Sequence, residues 1–288
     1  MKIHLLLNQR LNAEPNPVFA VVIDILEHRG FTVTRSVPEE SLLSPDKVRA
    51  DADVYVLKSR SDLALSVAGV LHERGGRFIN PYPSCALLQN RITAASALAA
   101  AGIPVPRSWV TGDFSLLRDL ASVLPLIIKP SRAQRGAGPV VVRCRSDLTA
   151  MSAPTQPMIV QPLIPGTDLK VYVVGDEVFA MRKRLSGRHF GGVYMPCSVS
   201  PEVRDIALRC GRVFGLGLYG LDIIESSGGP VVVDLDYAPG YRGVPDIAPL
   251  IARYMEQFAC GVVEAGGSSE TPAHCAEPAP ADAVAEPV

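Results

Sequence analysis

The sequence lacks the features that would place the chain in a membrane, on a nucleic acid or in an oxidising compartment. No apolar run approaches the length of a membrane-spanning helix, and the run at residues 3–7 is too short for a signal peptide. The net charge of −1 gives no reason to expect nucleic-acid binding. The six cysteines form no CxxC pair, which favours reduced thiols and a cytoplasmic location. We therefore expect neither a membrane partner nor a nucleic-acid partner.

Two glycine-rich fingerprints of nucleotide binding are also missing. The GxGxxG pattern of dinucleotide-binding domains does not occur, and neither does the GxxxxGK[ST] pattern of P-loop proteins. If the chain binds ATP, it does so through another arrangement of phosphate-binding groups.

The sequence does contain enough apolar residues for a sizeable core, since 48% of the 288 residues are hydrophobic. Over residues 1–84, segments with strand character alternate with helical segments. This alternation is typical of an α/β fold, with a parallel sheet covered by helices on both faces. Residues 266–288 are rich in Ala, Pro, Glu and Ser and include four acids but no Lys or Arg. We expect them to form a disordered acidic tail.

Three carboxylates lie on two apolar segments in the stretch GLDIIESSGGPVVVDLD. The short turn at residues 226–229 predicts an antiparallel hairpin. Asp222 would lie on its first strand, and Asp234 and Asp236 would share one face of the second. Such an oxygen-rich group predicts a Mg²⁺ site, completed by substrate phosphates. The alternative is a strand end with solvated acids, and without a cation we expect the carboxylates to repel one another.

A lysine ends the apolar strand in the stretch LPLIIKPSRAQRGAGPVVV. A lysine in a buried strand is rare unless its charge faces an anion. The loop that follows Lys129 contains basic residues and two glycines, and such loops bring backbone N–H groups close to phosphate oxygens. The sequence therefore predicts a phosphate-binding loop, with a solvated hairpin tip as the alternative.

The order of these elements resembles the ATP-grasp superfamily. A lysine-bearing strand and a glycine-containing loop are followed by IVQPLIPGTDLKVYVVG and then by the acidic hairpin. The resemblance covers residues 85–265 and implies an ATP-grasp domain there, with a small lobe at 109–164 and a metal-binding lobe at 165–265. Residues 1–84 match the Rossmann-like βαβ domain that usually precedes this fold.

The resemblance implies ATP and Mg²⁺ as cofactors, with Mn²⁺ as a substitute, and gives roles to matched residues. The implied ATP-binding residues are Arg91, Lys129, Arg135, Gly136, Ala137, Gly138, Gln161, Leu163, Ile164 and Asp168. The implied metal ligands are Asp222, Asp234 and Asp236, and the implied catalytic cations are Lys170 and Arg184. Two positions depart from the usual pattern, because Asp236 stands where Asn is common and Arg91 where Lys is common.

The resemblance leaves the reaction open between two branches of the superfamily. RimK-like ligases are similar at DLKVYVVGDEV, and the inositol polyphosphate kinases are similar at DVYVLKSRSD and DLDYAPGYRGVP. The expected substrate residues are Lys58, Arg60, His189 and Arg242. This set is sparse for an inositol polyphosphate but sufficient for a carboxylate, so we favour a ligase of small-molecule carboxylates and amines. A kinase and a non-catalytic nucleotide-binding regulator are the alternatives, and the apolar C-terminal helix leaves room for a homodimer.

Overall fold

The structure is a computed structural model that describes residues 1–8, 16–132, 138–184 and 193–264. Within these ranges the chain forms three β-sheets. The first, the N-terminal sheet, contains the strands β1 (Lys2–Leu7), β2 (Thr32–Ser36), β3 (Val54–Lys58) and β4 (Phe78–Ile79). The helices α1 (Pro17–His28) and α2 (Asp62–Glu73) and a 3₁₀ turn at Pro38–Glu40 lie between these strands in the chain. Its strands run parallel in the order β2-β1-β3-β4, which confirms the predicted parallel sheet.

Two helices, α3 (Tyr82–Leu88) and α4 (Arg91–Ala100), lead to the second sheet. The predicted boundary between residues 84 and 85 lies within α3. The second sheet, the small sheet, contains β5 (Trp109–Thr111), β6 (Leu126–Pro130), β7 (Val140–Val142) and β8 (Met158–Pro162), with a 3₁₀ helix at Phe114–Val123 and the short α5 at Arg145–Thr149. Its strands are antiparallel in the order β5-β8-β6-β7.

The third sheet, the large sheet, carries the acidic hairpin. It contains β9 (Thr167–Val174), β10 (Glu177–Arg184), β11 (Val193–Cys197), α6 (Pro201–Phe214), β12 (Leu218–Ser226), β13 (Gly229–Asp236) and α7 (Ile247–Ala259). Its antiparallel strands follow the order β11-β10-β9-β12-β13. The predicted hairpin is therefore confirmed as β12–β13. None of the described helices combines the length and apolar character needed to cross a membrane.

The N-terminal sheet and the large sheet share their hydrophobic cores. On one face, Leu6 belongs to a buried cluster that also contains Val171 of β9. On the other face, Leu5 belongs to a second cluster that contains Val174 of β9 and Ile251 of α7. Consecutive residues of β1 therefore point to opposite faces of the sheet, as strand geometry requires. The small sheet has a separate cluster around Leu126, so it packs as a distinct layer beside the hairpin.

A buried asparagine connects the N-terminal sheet to the base of the hairpin. Asn80, directly after β4, adopts a positive φ of 56° and is 3% exposed. Its Nδ2 donates to the carbonyls of Leu218 and Tyr237, at 2.5 and 2.8 Å. Its Oδ1 accepts from the N–H groups of Gly217 and Leu218. One side chain thus satisfies backbone groups at the start of β12 and just after the end of β13.

We expect Asn80→Ala to lower the free energy of unfolding by about 3 kcal/mol, because several buried backbone groups lose their partners. The left-handed backbone conformation adds to the cost for alanine. Urea unfolding followed by circular dichroism measures the change. Ser66→Ala, on the exposed surface of α2, is the matched control and should change the stability little. Equal stability of the Asn80 variant and the parent would contradict this role.

Candidate active site

The hairpin brings the three predicted metal ligands to one end of the large sheet. Asp222 lies directly opposite Asp234 in the strand register, and Asp236 lies opposite Gly220. A register shift follows Asp222 in β12, between Asp222 and Ile223. Of the two acids expected to face Asp222 across the hairpin, Asp234 does so, whereas Asp236 lies two residues further along β13.

Each of these carboxylates is paired with a cation from a different part of the chain. Lys170 Nζ of β9 lies 2.8 Å from Asp222 Oδ1. Arg91 Nη2, at the start of α4, lies 3.3 Å from Asp234 Oδ2, and Arg60 Nη1, just after β3, lies 3.6 Å from an oxygen of Asp236. The expected uncompensated repulsion is therefore wrong, because the three acids are neutralised one by one.

The pair between Asp222 and Lys170 is partly withdrawn from solvent. Burial raises the pKa of Asp222 above its usual range, and the neighbouring Lys170 opposes this rise. Burial alone would lower the pKa of Lys170, but the Asp222 carboxylate raises it above the ordinary lysine value. Asp222 is thus a partly buried carboxylate whose charged form is favoured by a positive partner, whether an ammonium group or a metal ion.

Lys129 projects from β6 of the small sheet towards the same hairpin. Its Nζ donates to the carbonyl of Val233 at 3.0 Å. Burial lowers its pKa, while the Asp234 carboxylate acts in the opposite direction and Arg91 adds to the decrease. Lys129 also lines a narrow cavity of about 30 Å³ with Arg91, Gln161 and Asp234. Lys129 thus points towards the acidic hairpin, and its contact with nucleotide phosphates stays a prediction.

Three predicted ATP-binding residues lie where the chain leaves the small sheet: Gln161 near the end of β8, and Leu163 and Ile164 directly after it. Gln161 is buried, and its Nε2 donates to Ser108 Oγ at 3.0 Å. The N–H of Leu163 donates to the carbonyl of Pro125 at 2.9 Å, so the small sheet uses this donor. Ile164 follows in the loop before β9 and is half-buried.

A larger pocket of about 360 Å³ lies on one face of the large sheet. Asp168 and Lys170 of β9, Asp222 of β12, and the rings of Tyr172 and Tyr194 line it. The structure therefore brings a predicted ATP-binding residue, Asp168, a predicted catalytic cation, Lys170, and a predicted metal ligand, Asp222, to one cavity. Its size is suited to part of a nucleotide or a small acceptor.

The predicted substrate residues separate into different environments. Arg60 lies at the hairpin, and its Nε is buried without a hydrogen-bond partner among the described residues. Arg242 lies on the exposed surface of the loop after β13. Lys58 is only 5% exposed, and burial lowers its pKa to about 7, although Asp236 acts in the opposite direction. The structure thus brings Arg60 into the site, whereas Lys58 does not line the pocket.

Several predicted positions lie outside the described residues. These are Arg135, Gly136, Ala137 and His189, together with the tail at residues 266–288. Arg184 ends β10, but its side chain is also outside the description. Gly138 is described just before β7, with open space where a side chain would stand.

The donor set suits Mg²⁺ bound together with a phosphate group. Within the described ranges, no three His, Cys, Asp or Glu side chains lie close enough to hold a metal ion by themselves. Mg²⁺ usually takes one or two carboxylates and completes its octahedron with water and substrate phosphates. Asp222 and Asp234, which face each other and offer only oxygen atoms, fit that requirement. The assignment of these ligands stays a prediction.

Sequence reasoning missed the contacts that orient the site. It placed Arg60 and Arg91 against ligand anions, and it gave no role to Asn80. It also passed over Tyr237, whose hydroxyl donates to Gln89 Oε1 at 2.9 Å. The sequence did contain a signal for these contacts, because Asn80 and Tyr237 each follow an apolar strand. A polar group in such a position indicates burial with a specific partner.

The fold and this arrangement of carboxylates and cations are those of an ATP-grasp enzyme. Comparisons with known proteins identify the family within that class. The family profile "RimK-like ATP-grasp domain" matches residues 88–257. A probable alpha-L-glutamate ligase of Xanthomonas campestris pv. campestris is 32% identical over 201 residues, which cover 62% of this chain and 69% of that protein. The chain belongs to the RimK-like ATP-grasp family.

Two further proteins support the same class. A ribosomal protein bS6–L-glutamate ligase of Shigella boydii is 29% identical over 227 residues, covering 69% of this chain and 76% of that protein. The ATP-grasp ligase PsnB, solved with a minimal precursor, Mg and ADP, superimposes with a TM-score of 0.66 at 22% identity and covers 89% and 96% of the two chains. The enzyme is an ATP-dependent ligase of a carboxylate and an amine, as favoured from the sequence, and the kinase and regulator alternatives receive no support from these relatives.

The buried amine of Lys58 should make stability depend on pH. Its pKa is about 7 in the folded state and 10.5 as the ordinary value, so between these values the unfolded state binds more protons. Stability therefore rises with pH above about pH 7 and is independent of this group below it. We expect the unfolding free energy of Lys58→Met, relative to the parent, to fall as pH rises from about 7 to about 9, by roughly 1.4 kcal/mol per unit.

Urea unfolding of both proteins at a series of pH values checks this expectation. Lys47→Met removes an exposed lysine and is the matched control, for which the difference from the parent should not vary with pH. A difference for Lys58→Met that stays constant over the whole range would show that the amine is not desolvated.

Proposed function

We propose that the chain uses ATP and Mg²⁺ to phosphorylate a carboxylate and then joins the acyl group to an amine, with release of ADP and phosphate. The single observation that carries this proposal is the junction at the end of the hairpin. There the three acids of β12–β13 meet four cations, Lys129, Lys170, Arg91 and Arg60, from the small sheet, the large sheet, α4 and the end of β3.

In this proposal Asp222 and Asp234, with Asp236, hold Mg²⁺, and Mn²⁺ can replace it. The metal would supply charge neutralisation on the phosphate oxygens during phosphoryl transfer. When the carboxylates bind a metal ion, Lys170 and Arg91 lose their present partners and become available to phosphate oxygens. Lys129 already contacts a neutral carbonyl, so it can turn to a phosphate without breaking an ion pair.

Arg60 is the residue best placed to bind the carboxylate that becomes activated. Its guanidinium lies beside Asp236, and its Nε has no hydrogen-bond partner among the described residues although it is buried. A planar guanidinium binds a carboxylate through two parallel hydrogen bonds. An unused buried donor is costly, and a substrate carboxylate would satisfy it.

The names of the relatives support an amino acid, with L-glutamate first, as the amine substrate. The carboxylate partner is either a small molecule, as the sequence favoured, or the carboxyl group of a larger chain, since one relative is named for a ribosomal protein and PsnB was solved with a precursor. We also propose the division into residues 1–84, 85–265 and 266–288. A cytoplasmic location and a homodimer stay predictions.

The test is incubation of the full chain with ATP, Mg²⁺, pooled amino acids and candidate carboxylates. We expect ADP, phosphate and a product whose mass equals the two substrates minus one water. Asp234→Asn should lower the rate by at least about 100-fold, while Asp236→Asn, which keeps one oxygen ligand, should stay active with a changed Mg²⁺ requirement. A phosphorylated polyol without an amide product would contradict ligation and support a kinase.

Lys129 should be required for nucleotide affinity. Lys129→Met keeps the aliphatic length but removes a charge-assisted hydrogen bond to phosphate, so ADP should bind about 10-fold to 100-fold more weakly. Titration of a fluorescent ADP analogue measures this change. Lys47→Met, far from the pocket on an exposed loop, should bind like the parent. Unchanged affinity of the Lys129 variant would remove this lysine from the ATP site.

A further inference from the structure

The end of β3 and the loop at residues 236–241 contact each other residue by residue. Lys58 Nζ donates to the carbonyl of Pro239 at 2.5 Å. The Tyr237 hydroxyl, which donates to Gln89 Oε1, also lies 3.2 Å from the carbonyl oxygen of Ser59. Arg60 forms the ion pair with Asp236 described above. Lys58, which ends β3, and the two residues after it thus contact the segment that begins with a predicted metal ligand.

Lys58 is enclosed at this contact. Its Nζ lies 4.2 Å from the centroid of the Phe19 ring and 5.8 Å from that of the Tyr241 ring. A lysine amine is buried at considerable cost unless it has a hydrogen-bond partner. Here that partner is a backbone carbonyl of the loop. The amine therefore serves a contact within the protein, and it cannot also reach a substrate in the pocket.

Asn16 makes a second contact of the same kind. It is 5% exposed and caps the N-terminus of α1, where its Oδ1 accepts from the N–H of Val18 at 3.0 Å. Its Nδ2 donates to the carbonyl of Gly240 at 2.8 Å. A Cβ atom on Gly240 would lie 3.1 Å from this nitrogen, so the loop lies directly against the start of α1.

These contacts occupy the position where an open parallel sheet usually binds its ligand. In the order β2-β1-β3-β4, the strand sequence reverses between β1 and β3, and ligands bind at the carboxyl ends of such strands. Lys58 ends β3, and Asn16 begins the helix that follows β1. In this protein the carbonyls of Pro239 and Gly240 accept the hydrogen bonds that these two side chains donate there.

We propose that Lys58 and Asn16 are positioning residues for Asp236. The Asp236 carboxylate accepts a hydrogen bond from the N–H of Ala238 at 2.9 Å, so its orientation follows the loop. Holding Pro239 and Gly240 fixes that loop against the N-terminal sheet. Asp236 and the neighbouring Arg60 thereby keep fixed positions relative to the large sheet. This inference rests on the proposed function, because it assigns the loop to metal binding.

The test compares the Mg²⁺ requirement of variants in the full chain. Lys58→Met keeps the length of the side chain but removes the donor to Pro239. We expect the Mg²⁺ concentration for half-maximal ADP formation to rise about fivefold or more, because loss of a group that orients a metal ligand lowers metal affinity. Asn16→Ser keeps an N-cap oxygen for α1 but cannot reach Gly240, and it should show the same rise.

Phe19→Leu is the matched control, because it loosens the packing around the Lys58 amine while both donors remain. It should lower the melting temperature and leave the Mg²⁺ requirement as in the parent. A parental Mg²⁺ requirement in both Lys58→Met and Asn16→Ser, or an equal rise in Phe19→Leu, would overturn the positioning role. A parent without ligase activity would count against the proposed function alone, and Mn²⁺ affinity in the presence of ADP would then provide the same comparison.

Discussion

The organisation of this enzyme depends on three carboxylates that the strand register of one hairpin places near its open end. Asp222 and Asp234 face each other by strand register, and Asp236 shares a face with Asp234. Such a group is unstable unless positive charge lies close by. The chain supplies that charge from three separate elements, through Lys170, Arg91 and Arg60. The ion pairs that neutralise the hairpin acids thus connect the hairpin to β9, to α4 and to the segment after β3.

The same electrostatic arrangement connects the resting enzyme to its reaction. Cations that neutralise the acids in the free enzyme are the groups that an ATP-dependent ligase needs for phosphate and carboxylate oxygens. In the proposed reaction the acids would hold the metal of a Mg²⁺–nucleotide complex, and the cations released from them would bind its phosphates. The N-terminal sheet contributes both Arg60 and the anchor at Lys58, so its shared core with the large sheet has a functional consequence.

The local elements could be predicted from the sequence, but the contacts between distant segments could not. Two apolar segments joined by a short turn predicted β12–β13, and alternating strand and helix segments predicted the parallel N-terminal sheet. In contrast, Lys58 ends a buried strand in a pattern that equally suits a solvent-facing crevice. Its burial is decided by Pro239 and Phe19, which are remote in sequence. The ion pair of Arg60 with Asp236 was missed for the same reason.

The central claim is that the hairpin acids leave their cations to bind a metal ion only together with a nucleotide. Electron paramagnetic resonance of Mn²⁺, as a stand-in for Mg²⁺, tests it directly. We expect the free Mn²⁺ signal to stay nearly unchanged with protein alone and to fall when a non-hydrolysable ATP analogue is added, beyond the decrease that the analogue causes by itself. Asp222→Asn and Asp234→Asn should each abolish this additional decrease. Strong Mn²⁺ binding without nucleotide, or undiminished binding in both variants, would contradict the account.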